Sequence, residues 1–406
     1  MNRIWLASPH MSEEGFEKKY IESAFEKNWI TTLGDNVREF EVGLKEYTKA
    51  ENVLAVSAGT AALHLAIKMA EVKQGDLVFC QDSTFAASVN PAVYEKAKVV
   101  FIDSDRDTWN LSPEALGKAI EIYGVPKVVI VVHLYGIPAK MKEIMAICEK
   151  YGILLIEDAA EALGSEYYNQ KCGTFGDFGV LSFNGNKIIT TSGGGALLCK
   201  RAEDSAHALK LATQAREPFP WYEHEEIGYN YRMSNIVAGV VRGQIPHLEE
   251  HIALKKAIYE RYKDGFKDLP ITMNPYDPNT MEPNFWLSCM LINEEAMCKQ
   301  VRSDNDYCYI SEQGKTCPDE ILDTLAKYNV QGRPIWKPMH MQPLYRMHGF
   351  VTREGNGRGK TNAYIPGKGI DVGADIFQRG LCLPSDINMT AEEQDKVIQI
   401  IRSCFE

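Results

Sequence analysis

An α/β fold built on a mainly parallel, helix-covered sheet is predicted for this chain by three observations. Short apolar runs at Leu77 to Cys80, Val99 to Ile102, Val128 to Val132 and Ile153 to Ile156 read as strands. They alternate with helically spaced apolar residues, as at Ala139 to Lys150, and such alternation favours a parallel sheet covered by helices. The run Ile153-Leu-Leu-Ile156 is aliphatic throughout, as expected of a strand buried on both faces. At 406 residues the chain can bury a large core. It is expected to divide into a large domain, residues 1–246, and a smaller C-terminal α/β domain, residues 247–406.

Taken in order, the first strand-like segment starts at Val53, breaks at Ser57-Ala-Gly59 and resumes with Leu63, Ile67 and Ala70 at helical spacing. The unpaired N–H groups and positive dipole end of a helix N-terminus suit an anion. Gly59 lets the backbone approach it, and Thr60 adds a hydroxyl. An ordinary βα connection has the same pattern. Further on, the run from Ile153 ends in Glu157 and Asp158. At the carboxyl end of a parallel strand, where α/β sheets bind ligands, Asp158 could pair with the protonated pyridine nitrogen of a cofactor or cap the next helix. Ser234 to Tyr262 reads as a long helix with charged faces, followed by a Pro/Asn-rich break at Pro270 to Pro283, and the boundary is placed near Pro246. Trp286 to Ile292 is strand-like, Lys299 to Cys317 is polar and cysteine-bearing with no assigned role, and Ala391 to Phe405 is a closing helix. In Arg353-Glu-Gly-Asn-Gly-Arg-Gly-Lys360 the alternating glycines predict a mobile loop.

The segment Ser182-Phe-Asn-Gly-Asn-Lys187-Ile-Ile-Thr-Thr-Ser-Gly-Gly-Gly195 sets one lysine between small polar residues and a glycine run. A Schiff-base lysine needs its amine close to an aldehyde, partly desolvated, and flanked by groups that take a phosphate. Ser182, Asn186 and the glycines supply such groups, although a solvated loop lysine before a glycine turn has the same appearance.

Several function classes are disfavoured. A net charge of −11 and the lack of a basic block speak against a nucleic-acid surface. Nowhere do about 18 apolar residues run together, so neither a membrane span nor a signal peptide is expected. The ten cysteines contain no C-x-x-C pair and are expected to be reduced in a cytoplasmic protein. No strand is followed by G-x-G-x-x-G, which removes a nicotinamide-binding reading. His247-Leu-Glu-Glu-His251 matches the H-x-x-E-H zinc pattern, but its charged flanks suit a solvated helix face without a third ligand, and no metal is assigned.

Five motifs stand together: Ser57-Ala-Gly-Thr-Ala-Ala62, Glu157-Asp-Ala-Ala160, Gly173-Thr-Phe-Gly-Asp-Phe-Gly179, Ser182-Phe-Asn-Gly-Asn-Lys187 and Gly228-Tyr-Asn-Tyr-Arg-Met-Ser234. In this order the chain resembles the DegT/DnrJ/EryC1/StrS sugar aminotransferases, from about Ile4 to about Asn388. Ser8-Pro-His-Met11, Asn28-Trp-Ile-Thr-Thr-Leu-Gly34 and Asn184 to Gly195 resemble the branch that aminates UDP-linked 4-keto-6-deoxy sugars for bacillosamine-type glycans or exopolysaccharide. The resemblance implies the aspartate aminotransferase-like fold of pyridoxal 5'-phosphate enzymes (fold type I). It implies Lys187 as the Schiff-base lysine, Asp158 on the pyridine nitrogen and Phe85 stacked on the ring. Gly59, Thr60 and Ser182 are implied at the phosphate with Asn230 of a neighbouring subunit, hence a homodimer with shared sites. Glu161 stands where many relatives carry Gln or His, next to the cofactor or the sugar. Trp29, Ile30, Thr31, Thr32, Arg333, Trp336, Lys337 and His340 match stretches that line the sugar-nucleotide pocket. The implied reaction moves an amino group from glutamate to C4 of a nucleotide-linked sugar, with UDP-2-acetamido-2,6-dideoxy-4-ketohexose as the expected substrate. A non-catalytic, ligand-binding regulator on the same fold is the alternative; such a protein would lose the lysine, and dehydratase relatives carry histidine there.

Overall fold

The computed structural model describes residues 3–356 and 371–406. Helices α1 (Phe16–Glu26) and α2 (Asp35–Thr48) precede β1 (Asn52–Val56), which turns directly into α3 (Gly59–Met69). Then β2 (Leu77–Gln81), α4 (Asn90–Tyr94), β3 (Lys98–Ile102), α5 (Pro113–Tyr123), β4 (Val128–Val132), α6 (Met141–Tyr151) and β5 (Leu154–Asp158) alternate as the sequence predicts. In β4, Val128 and Ile130 enter the core on the α3 side, whereas Val129 and Val131 enter the core under α5 and α6. Strictly alternating side chains that are apolar on both faces require helices on both faces.

A short hairpin, β6 (Glu166–Tyr167) and β7 (Gln170–Lys171), leads to β8 (Phe178–Ser182), which lies parallel to β5. The next strand, β9 (Gly195–Cys199), runs antiparallel between β8 and β1 and is followed by α7 (Ala202–Ala212). The helix expected over Ser234 to Tyr262 is two helices, α8 (Asn235–Gln244) and α9 (Leu248–Gly265), separated by a 3-10 turn at Ile245–His247. Pro246, which has no N–H to donate, sits in that turn.

The C-terminal part builds a four-stranded sheet from β10 (Ile271–Met273), β12 (Cys289–Ile292), β15 (Arg333–Pro334) and β18 (Gly380–Cys382), in the order β10-β12-β18-β15. The break expected at Pro270 to Pro283 therefore contains β10, and also β11 (Met281–Glu282), which pairs with β6. Tyr259 and Tyr262 of α9, Ile321 and Leu325 of α10 (Pro318–Lys327), and Val397 and Ile401 of α12 (Ala391–Ser403) pack into one core with Met290 and Leu381. A capping box of Thr390 and Glu393 starts α12. The unassigned segment Lys299 to Cys317 forms a hairpin of β13 (Lys299–Arg302) and β14 (Tyr307–Ile310).

Beyond the expected boundary the chain returns to the large sheet. β16 (Gly349–Thr352) lies parallel to β3, and β17 (Gly355–Asn356) closes that edge before α11 (Val372–Arg379). The nine-stranded order is β1-β9-β8-β5-β4-β2-β3-β16-β17. Of the expected loop Arg353 to Lys360, residues 353–356 form the turn into β17, and 357–360 lie outside the described residues.

Candidate active site

A cavity of about 450 Å³ opens where β5 and β8 end and α3 begins. Its walls bring together Gly59, Thr60, Phe85, Asp158, Glu161, Ser182 and Lys187 from the first half of the chain, and Arg333 and Trp336 from the second. Small residues hold the two halves of its floor in contact. A Cβ on Gly59 would come within 3.1 Å of the Ser182 Cβ, and one on Gly195 within 2.4 Å of the Ala58 carbonyl carbon. The first turn of α3 is thereby pressed onto the ends of β8 and β9, with its N-terminus at the cavity.

The β8–β9 connection folds back on itself, Phe183 N–H donating to Gly194 O at 2.9 Å and Thr191 N–H to Phe183 O at 2.9 Å. Lys187 projects from this connection. Its Nζ lies 3.4 Å from Glu161 Oε1 and 4.2 Å from the centroid of the Trp286 ring, and that indole donates from Nε1 to Asn186 O at 2.8 Å. The amine is thus partly desolvated and aimed. Glu161 accepts from Tyr135 N–H at 2.8 Å. Burial pushes its carboxyl up to about 7, against the opposing pull of Lys187 and of the Tyr135 N–H.

Asp158, at the tip of β5, accepts from Ser88 Oγ at 2.6 Å and from Ala160 N–H at 3.1 Å, and Ser88 Oγ lies 2.6 Å from Thr84 Oγ1. These donors are neutral. The two donors orient the carboxylate toward the cavity, where a cationic group could pair with it. Phe85 is 61% exposed and faces Trp336 at 5.4 Å between centroids. An amine for an aldehyde, a carboxylate for a ring nitrogen, a flat apolar face, and a glycine-lined helix start with two hydroxyls fit pyridoxal phosphate.

Other expected residues lie elsewhere in the chain. Asn230 is exposed, outside this cavity, and accepts from Gln214 Nε2 at 3.2 Å. Trp29, Ile30, Thr31 and Thr32 form the surface turn before α2, where Thr31 O accepts from Asn235 N–H at 2.7 Å. Lys337 pairs with Asp304 at 3.0 Å. His340 is buried between Asp82 and Asp371 and stacks on Phe350 at 3.8 Å. Burial works against its charge, but the two carboxylates outweigh burial and hold it up at about 9. Of the H-x-x-E-H pair, His251 Nδ1 meets Ile188 O at 2.9 Å and His247 lies between Glu14 and Glu250.

Sequence reasoning missed Trp286, Tyr135 and Ser88. Trp286 reads as the start of a strand, and no local signal ties it to Asn186, 100 residues away. Ser88 is one of many small polar residues until the fold sets it against Asp158.

Residues 11–402 match the family profile of the DegT/DnrJ/EryC1/StrS aminotransferases. EpsN of Bacillus subtilis (strain 168), named as a pyridoxal phosphate-dependent aminotransferase, is 44% identical over 407 residues, 99% of this chain and 96% of its own. A GDP-perosamine synthase of Escherichia coli O157:H7 is 31% identical over 331 residues, covering 82% of this chain and 84% of its own. The crystal structure of a DegT DnrJ EryC1 StrS aminotransferase from Brucella abortus is similar with a TM-score of 0.82 and 26% identity, over 97% of this chain and 96% of its own.

Proposed function

Because the chain belongs to the DegT/DnrJ/EryC1/StrS aminotransferase family, we propose that it moves the amino group of glutamate to C4 of a nucleotide-linked 4-keto-6-deoxy sugar, UDP-2-acetamido-2,6-dideoxy-4-ketohexose. The protein is a pyridoxal phosphate-dependent sugar aminotransferase of nucleotide-sugar and polysaccharide biosynthesis. The observation that carries the transamination chemistry is Lys187 Nζ, held between Glu161 and the Trp286 ring in the cavity that Asp158 also borders; the C4 position and the UDP-linked sugar are supported by the resemblance of Ser8–Met11, Asn28–Gly34 and Asn184–Gly195 alone.

When bound, the cofactor supplies the electron sink for the carbanion chemistry. Asp158 holds a positive charge at the ring nitrogen, and Ser88 and Ala160 N–H keep its carboxylate oriented. With the cofactor bound, Lys187 would take the proton from the donor α-carbon and return one to the carbon that receives the amine, the general acid–base role of a partly buried amine. Thr60, Ser182 and the α3 N-terminus take the phosphate, Phe85 covers the ring, and Arg333 and Trp336 face the nucleotide sugar as cation and stacking surface. Asn230 completes the phosphate site of a partner in a homodimer, in keeping with its position outside its own cavity. A cytoplasmic location fits nucleotide-sugar chemistry; among the described residues no helix is long and apolar enough to cross a membrane.

The similarity to a GDP-perosamine synthase favours a second reading with a GDP-linked sugar. Mass spectrometry of products from glutamate and UDP-, GDP- and dTDP-linked 4-keto-6-deoxy sugars decides: an amine only on the GDP sugar removes the UDP assignment, and no amine on any removes C4 transfer. A purely regulatory protein would leave all three untouched and would yield no 2-oxoglutarate from glutamate.

A further inference from the structure

The base of the β13/β14 hairpin gathers side chains for which the aminotransferase reaction has no use. Cys298 immediately precedes β13, Cys317 sits at the N-cap of α10 beyond the turn that follows β14, and Glu320 stands in the first turn of α10. Their ligand atoms all lie within 4.8 Å of one another, with Cys298 Sγ 3.8 Å from Glu320 Oε2. The backbone fixes this convergence: Cys298 N–H donates to Thr316 O at 2.9 Å and Thr316 N–H to Ala296 O at 3.1 Å. Both cysteines are buried. The Glu320 carboxylate accepts from Thr316 Oγ1 at 3.0 Å on Oε2 and from Ser311 Oγ at 2.5 Å on Oε1, the kind of outer hydrogen bonding that holds a metal-ligating carboxylate in place.

We propose that Cys298, Cys317 and Glu320 bind one thiolate-preferring divalent cation of the zinc class, which staples the base of the hairpin. Metal–sulfur bonds of about 2.3 Å and metal–oxygen bonds of about 2.0–2.2 Å place tetrahedral ligand atoms roughly 3.5–3.8 Å apart, so the cluster needs only a small inward movement. Two sulfurs and one carboxylate select zinc over magnesium or calcium, which prefer oxygen. The fourth position is left for water, and Glu320 also borders a surface pocket of about 330 Å³. The hairpin has reason to need such a staple. Two strands alone are marginally stable in water; this pair is tied to α10 and α11 through Arg302, which meets Asp319 at 2.7 Å and Phe377 O at 2.6 Å, yet leaves Val301, Tyr307 and Ile310 about half exposed or more. A Cys298–Cys317 disulfide would close the same loop, but it would leave Glu320 with its two hydroxyl donors alone and make no use of its approach to Cys298 Sγ.

The full-length, untagged chain, reduced and freed of metal with a chelator, is titrated with Zn²⁺ alone and with Co²⁺ alone. One equivalent of Zn²⁺ per chain is expected, and Co²⁺ should develop the intense near-ultraviolet band of thiolate-to-cobalt charge transfer. Cys298→Ser and Cys317→Ser should each remove that band, Glu320→Gln should weaken binding at least tenfold, and Cys308→Ser on the exposed strand β14 should change nothing. Circular dichroism and transaminase activity report whether each variant folds; the wild-type titration decides even where a variant does not. Absence of the cobalt band in reduced wild-type protein, a band that survives both serine replacements, or a Cys298–Cys317 disulfide found by mass spectrometry in the chain as isolated overturns the proposal.

Discussion

Lys187, Asp158 and Glu161 are each testable by one atom-scale change. Lys187→Ala removes the only lysine amine that borders the cavity among the described residues, so turnover should fall by about a thousandfold or more, along with the visible absorbance of lysine-bound cofactor. Borohydride reduction and peptide mapping of the wild type check the assignment, and a label on another lysine would refute it. Asp158→Asn should keep the cofactor yet lose on the order of a hundredfold to a thousandfold in kcat, since a neutral amide leaves a developing charge unanswered. Glu161→Gln carries a pH signature. Burial raises this carboxyl to about 7 from its usual 4.5, so the folded chain holds the proton more tightly than the unfolded chain. The stability from that proton is complete below about pH 4.5, declines as pH rises, and is gone above about pH 7, a loss on the order of 3 kcal/mol. The glutamine variant of the cofactor-free protein lacks this slope. Melting curves at pH 5 and pH 8 that move in parallel for the two proteins would show that Glu161 does not titrate in this range.

At the scale of elements, the α3 turn and β9 depend on each other. Gly195→Ala would drive a methyl group into the Ala58 carbonyl carbon at 2.4 Å, so the turn must lift from β8 and β9. The expected result is weaker pyridoxal phosphate binding by tenfold or more in a spectroscopic titration, with destabilisation of about 1–3 kcal/mol as for other overpacking changes; unchanged affinity would detach the turn from the phosphate. The same elements show what was legible in the sequence. Strands β2 to β5 could be read because burial on both faces leaves an uninterrupted aliphatic run, a local signal. The glycines and hydroxyls around Lys187 were legible for the same reason. The break between α8 and α9 was written in Pro246, but the flanking helical periodicity masked it. Trp286 over Lys187, Ser88 on Asp158 and the enclosure of His340 by Asp82 and Asp371 were not legible, since each arises from chain segments that only the folded sheet brings together.

At the scale of the whole molecule, Asn230 lies outside its own cavity, and the shared-site reading predicts that activity resides in a pair of chains. An inactive Lys187→Ala chain mixed with an inactive Asn230→Ala chain should recover activity, because one site of each heterodimer has both native residues. Sedimentation of a fully active monomer, or confirmed heterodimers that stay inactive, would end that reading. The return of Gly349–Thr352 to the large sheet has a different kind of consequence. Val100 of β3 finds its outer neighbour in Gly349, roughly 250 residues later in synthesis. At about 5–20 residues per second on the ribosome, that edge waits some 10–50 seconds for its partner, an apolar strand with open hydrogen-bonding groups. The nascent chain therefore passes through an interval with Lys187 already made and its sheet unfinished, and its yield in a cell should depend on how well that one edge is shielded until Gly349–Thr352 emerges.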